Sequence, residues 1–293
     1  MPETREIKVL DYGYVKYVEH WGSDERIIEA ARMSTNKGFE GWGTGPCLKC
    51  QEAGRLSKID NLYINYDKMK EALGTEDNPG CSHCKGTGKA VGDEKLLAYL
   101  WNNKHATPFE MGGMVLEVQA PIFVFREWRT HRTAAQVADE YQWDDCFPGD
   151  CSYNEMSARY APLPNDNYIP TVERLMINSK SNKQAGVIKG AKELTEGDAE
   201  WFRDCLQSTY EQQEELYQVA LKSGIPKELA RVHLPVGRYS RMRACANLRN
   251  WLAFLTLRMA ENAQWEIRQF ANAVAVLIKE RFPRTYELFE GRK

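Results

Sequence analysis

Apolar and polar residues alternate along positions 6–19, a stretch rich in Val and Tyr, and that period of two predicts a β-strand. Ser23 then has the chemistry of a helix N-cap, and the spacing predicts a helix over 24–33. A second strand is expected over 113–119. It leads into a helix whose first turn holds Pro121 and which carries Phe123, Phe125 and Trp128; proline suits that turn because its missing N–H would have no helical partner there. Asp93 is placed to cap a helix running to Asn103. Further on, the helical period dominates: helices are expected over 198–222 (ended by Gly224), 226–233, 243–258 and 262–282. Residues 161–192, rich in Pro, Asn and Ser, read as loop.

Two stretches fit none of these elements. Residues 39–92 open on Gly, Trp and Pro in loop-like order and read as an insertion into one larger domain spanning 1–293. They carry two Cys-x-x-Cys pairs, Cys47 with Cys50 and Cys81 with Cys84, whose thiolates suit the tetrahedral geometry zinc prefers. Glycines after Cys84 resemble those of the DnaJ zinc knuckles. The first pair lacks them and the intervening loop is long, so a redox or metal-free pair is the alternative. Four cysteines leave no open coordination position, which makes such a zinc structural. The second stretch, 135–151, holds Asp139, Glu140, Tyr141, Trp143, Asp144 and Asp145 and reads as an acidic, aromatic surface loop, with a lid over a substrate as the functional alternative.

At 293 residues the chain can bury a sizeable core. Its formal net charge of −2 argues against coating nucleic acid, which needs a basic footprint. The longest apolar runs, such as 271–278, are too short to span a bilayer, and the first residues lack the apolar core of a signal peptide. A cytoplasmic protein is expected, in which the eight cysteines form no persistent disulfides.

Candidate chemistry gathers in four places. Arg126-Glu127-Trp128-Arg129-Thr130-His131-Arg132-Thr133 closes the helix that begins at Pro121; cations there complement the helix dipole, so a structural reading exists. Ser152-Tyr153-Asn154-Glu155-Met156-Ser157-Ala158-Arg159-Tyr160 offers a guanidinium fork for phosphate oxygens in Arg159. Its Ser157 has no neighbouring His base that would make it a nucleophile. Near the C-terminus come Ala230-Arg231-x-x-Leu234-Pro235, Asn247-Leu248-Arg249, and Arg258 beside Phe254, Leu255 and Leu257. Asn247 and Arg258 lie about three turns apart on the expected helix and would share a face. An arginine in apolar company needs a carbonyl or an anion to meet it. His105, in His105-Ala106-Thr107-Pro108-Phe109-Glu110, reads in isolation as a structural residue before a capped turn.

Taken in chain order, the strings resemble the flavin-dependent thymidylate synthases, over roughly 1–38, 93–134 and 152–285. That family shows Arg-Gln-Trp-x-Arg-His-Arg, then Ser-x-Asn-Glu-x-Ser-x-Arg-Tyr after a two-residue spacer. Here Glu127 replaces the glutamine, Thr130 replaces an arginine, residues 135–151 expand the spacer, and Met111 stands where a histidine is usual. The resemblance implies an α/β fold: a mixed sheet with a long helical C-terminal half, assembled as a homotetramer. It implies reductive methylation of dUMP to dTMP with FAD, NADPH and 5,10-methylenetetrahydrofolate. By the same resemblance Glu127, Arg129, Ser157, Arg159, Arg231 and Arg258 serve the pyrimidine nucleotide. His105, Thr107, His131, Arg132, Thr133, Glu155, Asn247 and Arg249 serve the flavin, and Arg258, Ser157 and Glu155 are the catalytic candidates. The departures at 127 and 130 leave open a relative that acts on dCMP or stops at the hydroxymethyl product. A zinc-dependent nucleic-acid-binding module on the same scaffold is the non-enzymatic alternative, which the modest net charge disfavours.

Overall fold

The computed structural model describes residues 5–35, 37–43, 56–59, 62–65, 92–130, 152–179, 182 and 185–291. In chain order its elements are β1 (Glu6–Val9), β2 (Gly13–Trp21), α1 (Asp24–Ala31), β3 (Leu56–Ile59), β4 (Leu62–Asn65), α2 (Glu94–Asn102), β5 (Gly113–Pro121), α3 (Ile122–Arg129), β6 (Ser152–Glu155), α4 (Val172–Met176), α5 (Glu196–Lys222), α6 (Lys227–Ala230), β7 (Tyr239–Asn247), α7 (Leu248–Arg258), α8 (Trp265–Arg281) and α9 (Pro283–Glu290). They pack as two compact units, residues 1–20 with 113–277 and residues 21–112 with 278–293. The expected α/β class holds.

The first unit is built on a five-stranded sheet in the order β1-β2-β5-β7-β6. The strand expected over 6–19 is an antiparallel hairpin with Glu6 opposite Lys16. Gly13 begins its second arm because a Cβ there would meet Val9 O at 2.5 Å and the Phe270 ring at 2.9 Å. β5 and β7 pair antiparallel, with Leu116 opposite Ala244 and Val118 opposite Met242, all four buried. Successive strand residues point to opposite faces, so the intervening pair, Glu117 and Arg243, meets on the other side at 2.9 Å. The buried face carries α3 and α7, where Trp128, Trp251 and Phe254 form an aromatic cluster with centroids 4.6–6.3 Å apart.

β7 departs from the expectation of a helix over 243–258: the strand runs to Asn247 and the helix starts only at Leu248. Ala, Met and Arg favour helices in isolation; pairing on both sides, with β5 and with β6, overrides that preference. Within the expected loop 161–192 lies the short helix α4, and of the helix expected over 226–233 only α6 is formed. α5 starts two residues earlier than expected, on a capping box between Thr195 and Asp198. Gly224, at φ +79°, follows its end as expected, in the left-handed conformation glycine adopts without strain.

Burial raises the phenols of Tyr239 and Tyr168, which also donate to the carboxylates of Asp11 and Glu266. A phenol whose folded pKa exceeds its unfolded value of about 10 contributes stability that is complete below that pH and lost as pH rises above it. We therefore expect the melting temperature to fall steeply above about pH 10, and Tyr239→Phe, which cannot ionise there, to flatten that fall. An unchanged slope in calorimetry would refute the assignment.

In the second unit Ser23 caps α1 as expected, accepting from Arg26 N at 3.4 Å. The next residue, Asp24, is buried and accepts from Arg284 N, Thr285 N and Thr285 Oγ1 at 2.6–3.2 Å, which fixes the start of α9, an element absent from the sequence expectation. Asp93 precedes α2 but makes no side-chain cap. Its carboxylate accepts instead from Glu40 N and Gly41 N and pairs with Arg32. Gly43 N binds the neighbouring Glu94, and a Cβ on Gly43 would lie 3.3 Å from Gly92 Cα, so the chain leaves at Gly43 and returns at Gly92 through adjacent positions. β3 and β4 form an antiparallel hairpin.

Cys47, Cys50, Cys81, Cys84 and residues 135–151 lie outside the described residues. Among the described residues no three His, Cys, Asp or Glu side chains gather as a metal site, and no helix is long and apolar enough to cross a membrane.

Candidate active site

α3 anchors the site. Val124, Phe125 and Trp128 are buried, so the helical period leaves Glu127, Arg129 and Thr130 at the rim of its C-terminal turn, where the last carbonyls have no helical donors. Two arginines meet that turn. Arg129 donates through Nε to Phe125 O at 3.4 Å and sets Nη1 2.8 Å from Glu155 at the end of β6. Arg258, the last residue of α7, donates through Nη2 to Glu127 O and to Thr130 Oγ1, both at 2.6 Å. Its Nη1 is 3.5 Å from the Glu127 carboxylate, and its buried Nε has no partner among the described residues. The carbonyl required by an arginine in apolar company is therefore that of Glu127. His131, Arg132 and Thr133 lie outside the described residues.

β6 delivers the second segment. Pairing sets Glu155 opposite Met242, on the helix-covered side of the sheet, where Arg129 reaches it. The chain then turns: Ser157 Oγ accepts from Arg159 N at 3.3 Å and from Arg159 Nε at 3.4 Å. Lys227 Nζ donates to Tyr160 O at 3.0 Å, which draws the start of α6 to this turn, and Arg231 caps the other end of α6. An open cleft of about 670 Å³ is lined by Glu155, Ser157, Arg159 and Arg243 among others.

Glu127 and Arg258 also line a second cavity of about 690 Å³, together with Arg174, Asn262, Trp265 and Arg268. Its wall is held by buried Glu266, which takes two bonds from Arg174 at 2.7 and 3.3 Å and one from Tyr168 at 3.1 Å. Arg174 stacks over the Trp265 ring at 5.5 Å. In Gln264-Trp265-Glu266 two of the three side chains are thus structural.

Asn247 stands outside the helix whose face it was expected to share with Arg258. It is the N-cap of α7, with extended backbone, and its Oδ1 accepts from Asn250 N at 2.9 Å. Arg249 is exposed in the first helical turn, a cation at the positive end of the helix, where an anion is favoured. In the second unit, His105 is exposed, with its ring 5.6 Å from the Tyr99 ring and its backbone N–H donating to Leu100 O at 2.9 Å. Thr107 is exposed at the head of a short 3₁₀ turn whose Phe109 packs on Trp101.

Sequence reasoning missed Arg174, Lys227 and Arg243 as neighbours of the site, and Thr130 as the partner of Arg258. Alternation along β7 could have put Arg243 on an open face. Nothing local marks the other three, since each is defined by a contact far away in sequence.

The Thy1 family, described as thymidylate synthase complementing protein, matches residues 16–284. A flavin-dependent thymidylate synthase of Thermus thermophilus is 32% identical over 284 residues, covering 97% of this chain and 78% of that one. The enzyme of that name from Pseudothermotoga lettingae is 29% identical over 283 residues, covering 97% and 92%. Among solved structures, the UMP/dUMP methylase PolB from Streptomyces cacaoi, bound with 5-Br dUMP, superposes with a TM-score of 0.63 at 25% identity and covers 97% of both chains. A family match over most of the chain, with relatives above 30% identity along nearly its whole length, places this protein in the flavin-dependent thymidylate synthase family of methyltransferase-type enzymes.

Proposed function

We propose that this protein methylates dUMP to dTMP, with FAD, NADPH and 5,10-methylenetetrahydrofolate as co-reactants. The observation that carries the reading is the C-terminal turn of α3: it joins the Arg129–Glu155 pair and the Arg258 guanidinium, beside the Ser157–Arg159 turn of the signature. Arg159, its Nε held by Ser157, binds the 5′-phosphate with Arg231, since guanidinium forks match phosphate oxygens. Arg258 presents preorganised N–H donors in a poorly hydrated setting, where they stabilise negative charge developing on the pyrimidine carbonyl. Ser157 and Glu155 bind and orient; neither is a nucleophile.

The flavin site fits the residues present. Arg249 at the head of α7 suits a pyrophosphate, Asn247 fixes that helix end, and Glu155 orients a neighbouring polar group. His105, Thr107, His131, Arg132 and Thr133 complete the flavin set by resemblance. Bound FAD supplies the hydride and the folate supplies the carbon, so the protein's part is positioning and electrostatics.

A second reading has its own observation. The Glu127 carboxylate beside the Arg258 guanidinium offers an acceptor next to a donor. Uracil meets that pair with N3–H and a carbonyl, cytosine with its exocyclic amine and N3, so dCMP is the alternative substrate. Residues 39–92 form an inserted zinc-bearing segment on the Gly43–Gly92 stem, with Cys47, Cys50, Cys81 and Cys84 as ligands. Residues 135–151, outside the described residues, keep the reading of an acidic surface loop, with a lid over the substrate as the functional alternative. Exposed Trp201, Leu216, Leu229 and Val232 on and beyond α5 support assembly into a homotetramer.

Mass spectrometry of nucleotides after incubation with the three co-reactants and a mixture of dUMP, UMP and dCMP tests the reading. Formation of dTMP supports it; exclusive modification of dCMP selects the alternative; no product with any of them refutes both. Metal analysis and light scattering of the same preparation should give about one zinc per chain and the mass of four chains. A metal-free or monomeric active enzyme would remove those two assignments.

A further inference from the structure

The Arg258 guanidinium is held by one turn of one helix. Nη2 is saturated: Glu127 O and Thr130 Oγ1 each lie 2.6 Å away. Thr130 Oγ1 also donates its only proton to Glu127 O, at 2.8 Å. Its hydroxyl therefore has no proton left for another partner and can only accept from Arg258, which fixes its orientation. Among the described residues Nη1 has one long contact, 3.5 Å to Glu127 Oε2, and buried Nε has none. Arg258 and Glu127 both line the 690 Å³ cavity. The arrangement ties down Nη2 firmly and leaves Nη1, with its single long contact, the freer nitrogen.

We propose that Thr130 is a positioning residue for the reaction, acting through Arg258. It stands where the resembling pattern has an arginine, and the two sites cannot be read independently. An arginine at 130 would be a second cation against Arg258, whereas Thr130 is a neutral acceptor that turns the guanidinium and holds it. Val in its place keeps the shape and loses the acceptor, so the guanidinium can rotate about its last side-chain torsions. Small displacements of a group that stabilises a transition state are costly. The inference rests on the proposed role of Arg258 at the pyrimidine.

The test compares Thr130→Val, Thr130→Ser and Arg258→Ala in the intact holoenzyme, with dUMP as the varied substrate. Loss of one charge-assisted hydrogen bond that matters mainly in the transition state should lower kcat by about ten- to a hundredfold in Thr130→Val, with KM within about threefold. Thr130→Ser, which restores the acceptor, should recover most of the rate. A general loss of folding would not be rescued in this pattern and would appear as a matching fall in melting temperature. Wild-type kinetics in Thr130→Val alongside an impaired Arg258→Ala would overturn the positioning role while leaving the function intact. Wild-type kinetics in Arg258→Ala would overturn the reading of Arg258 itself.

Discussion

Arg258→Ala should lower kcat/KM for dUMP by about a hundred- to a thousandfold, the usual cost of removing one preorganised donor from a developing negative charge. The side chain is 16% exposed, so water replaces it poorly. Structurally the change removes one of the two donors on Glu127 O, leaving Thr130 Oγ1 in place, at a cost of about 1–2 kcal/mol. That is small enough for the variant to stay folded near room temperature, and the two effects separate when steady-state kinetics are set beside the melting temperature. Arg258→Lys keeps the charge but not the fork, and should recover little of the activity. Full activity in the lysine variant would mean that charge alone matters and that the socket on α3 has no catalytic consequence.

Trp251→Ala should have the largest effect on stability, about 3–5 kcal/mol, by opening a cavity that rigid neighbours cannot close. Trp251 is buried between the edges of Trp128 and Phe254 and donates from Nε1 to Met114 O at 3.0 Å. It therefore ties α7 to β5 and supports the underside of α3, whose far side carries Glu127, Arg129 and Thr130. Trp251→Phe retains most of the packing and loses the hydrogen bond, so it should cost about 1–2 kcal/mol. Denaturant unfolding followed by far-ultraviolet circular dichroism reads both. A loss below about 1 kcal/mol in the alanine variant would show that the cluster repacks.

Several parts of the fold were legible from single segments. The caps at Ser23 and the stop at Gly224 could be read because capping is decided by a few adjacent residues. α3 could be read because the spacing of its aromatic residues specifies it locally, although Pro121 ends β5 and stands just before the helix, not in its first turn. Asp93 looked like a cap by the same logic and is not one: a buried carboxylate facing Arg32 and two backbone amides is worth more than a local bond to its own helix. β7 was missed for a related reason, since its residues favour a helix until β5 and β6 supply partners on either edge. Asn247 then moved from a helix face to a helix cap.

The sequence by itself determined the family, because three motifs in fixed order carry the chemistry in residue types that could be recognised without coordinates. It also marked departures from the resembling pattern, Glu127 and Thr130 first, with residues 39–92 and 135–151 expected as insertions. Only the tertiary structure decided what surrounds the first two of those departures. It brought Arg258 onto the end of α3, more than a hundred positions away, and set Thr130 and Glu127 around the same guanidinium. Motif identity depends on local order along the chain, whereas the partner of a buried charge depends on which distant carbonyl is left without a donor when the helices pack.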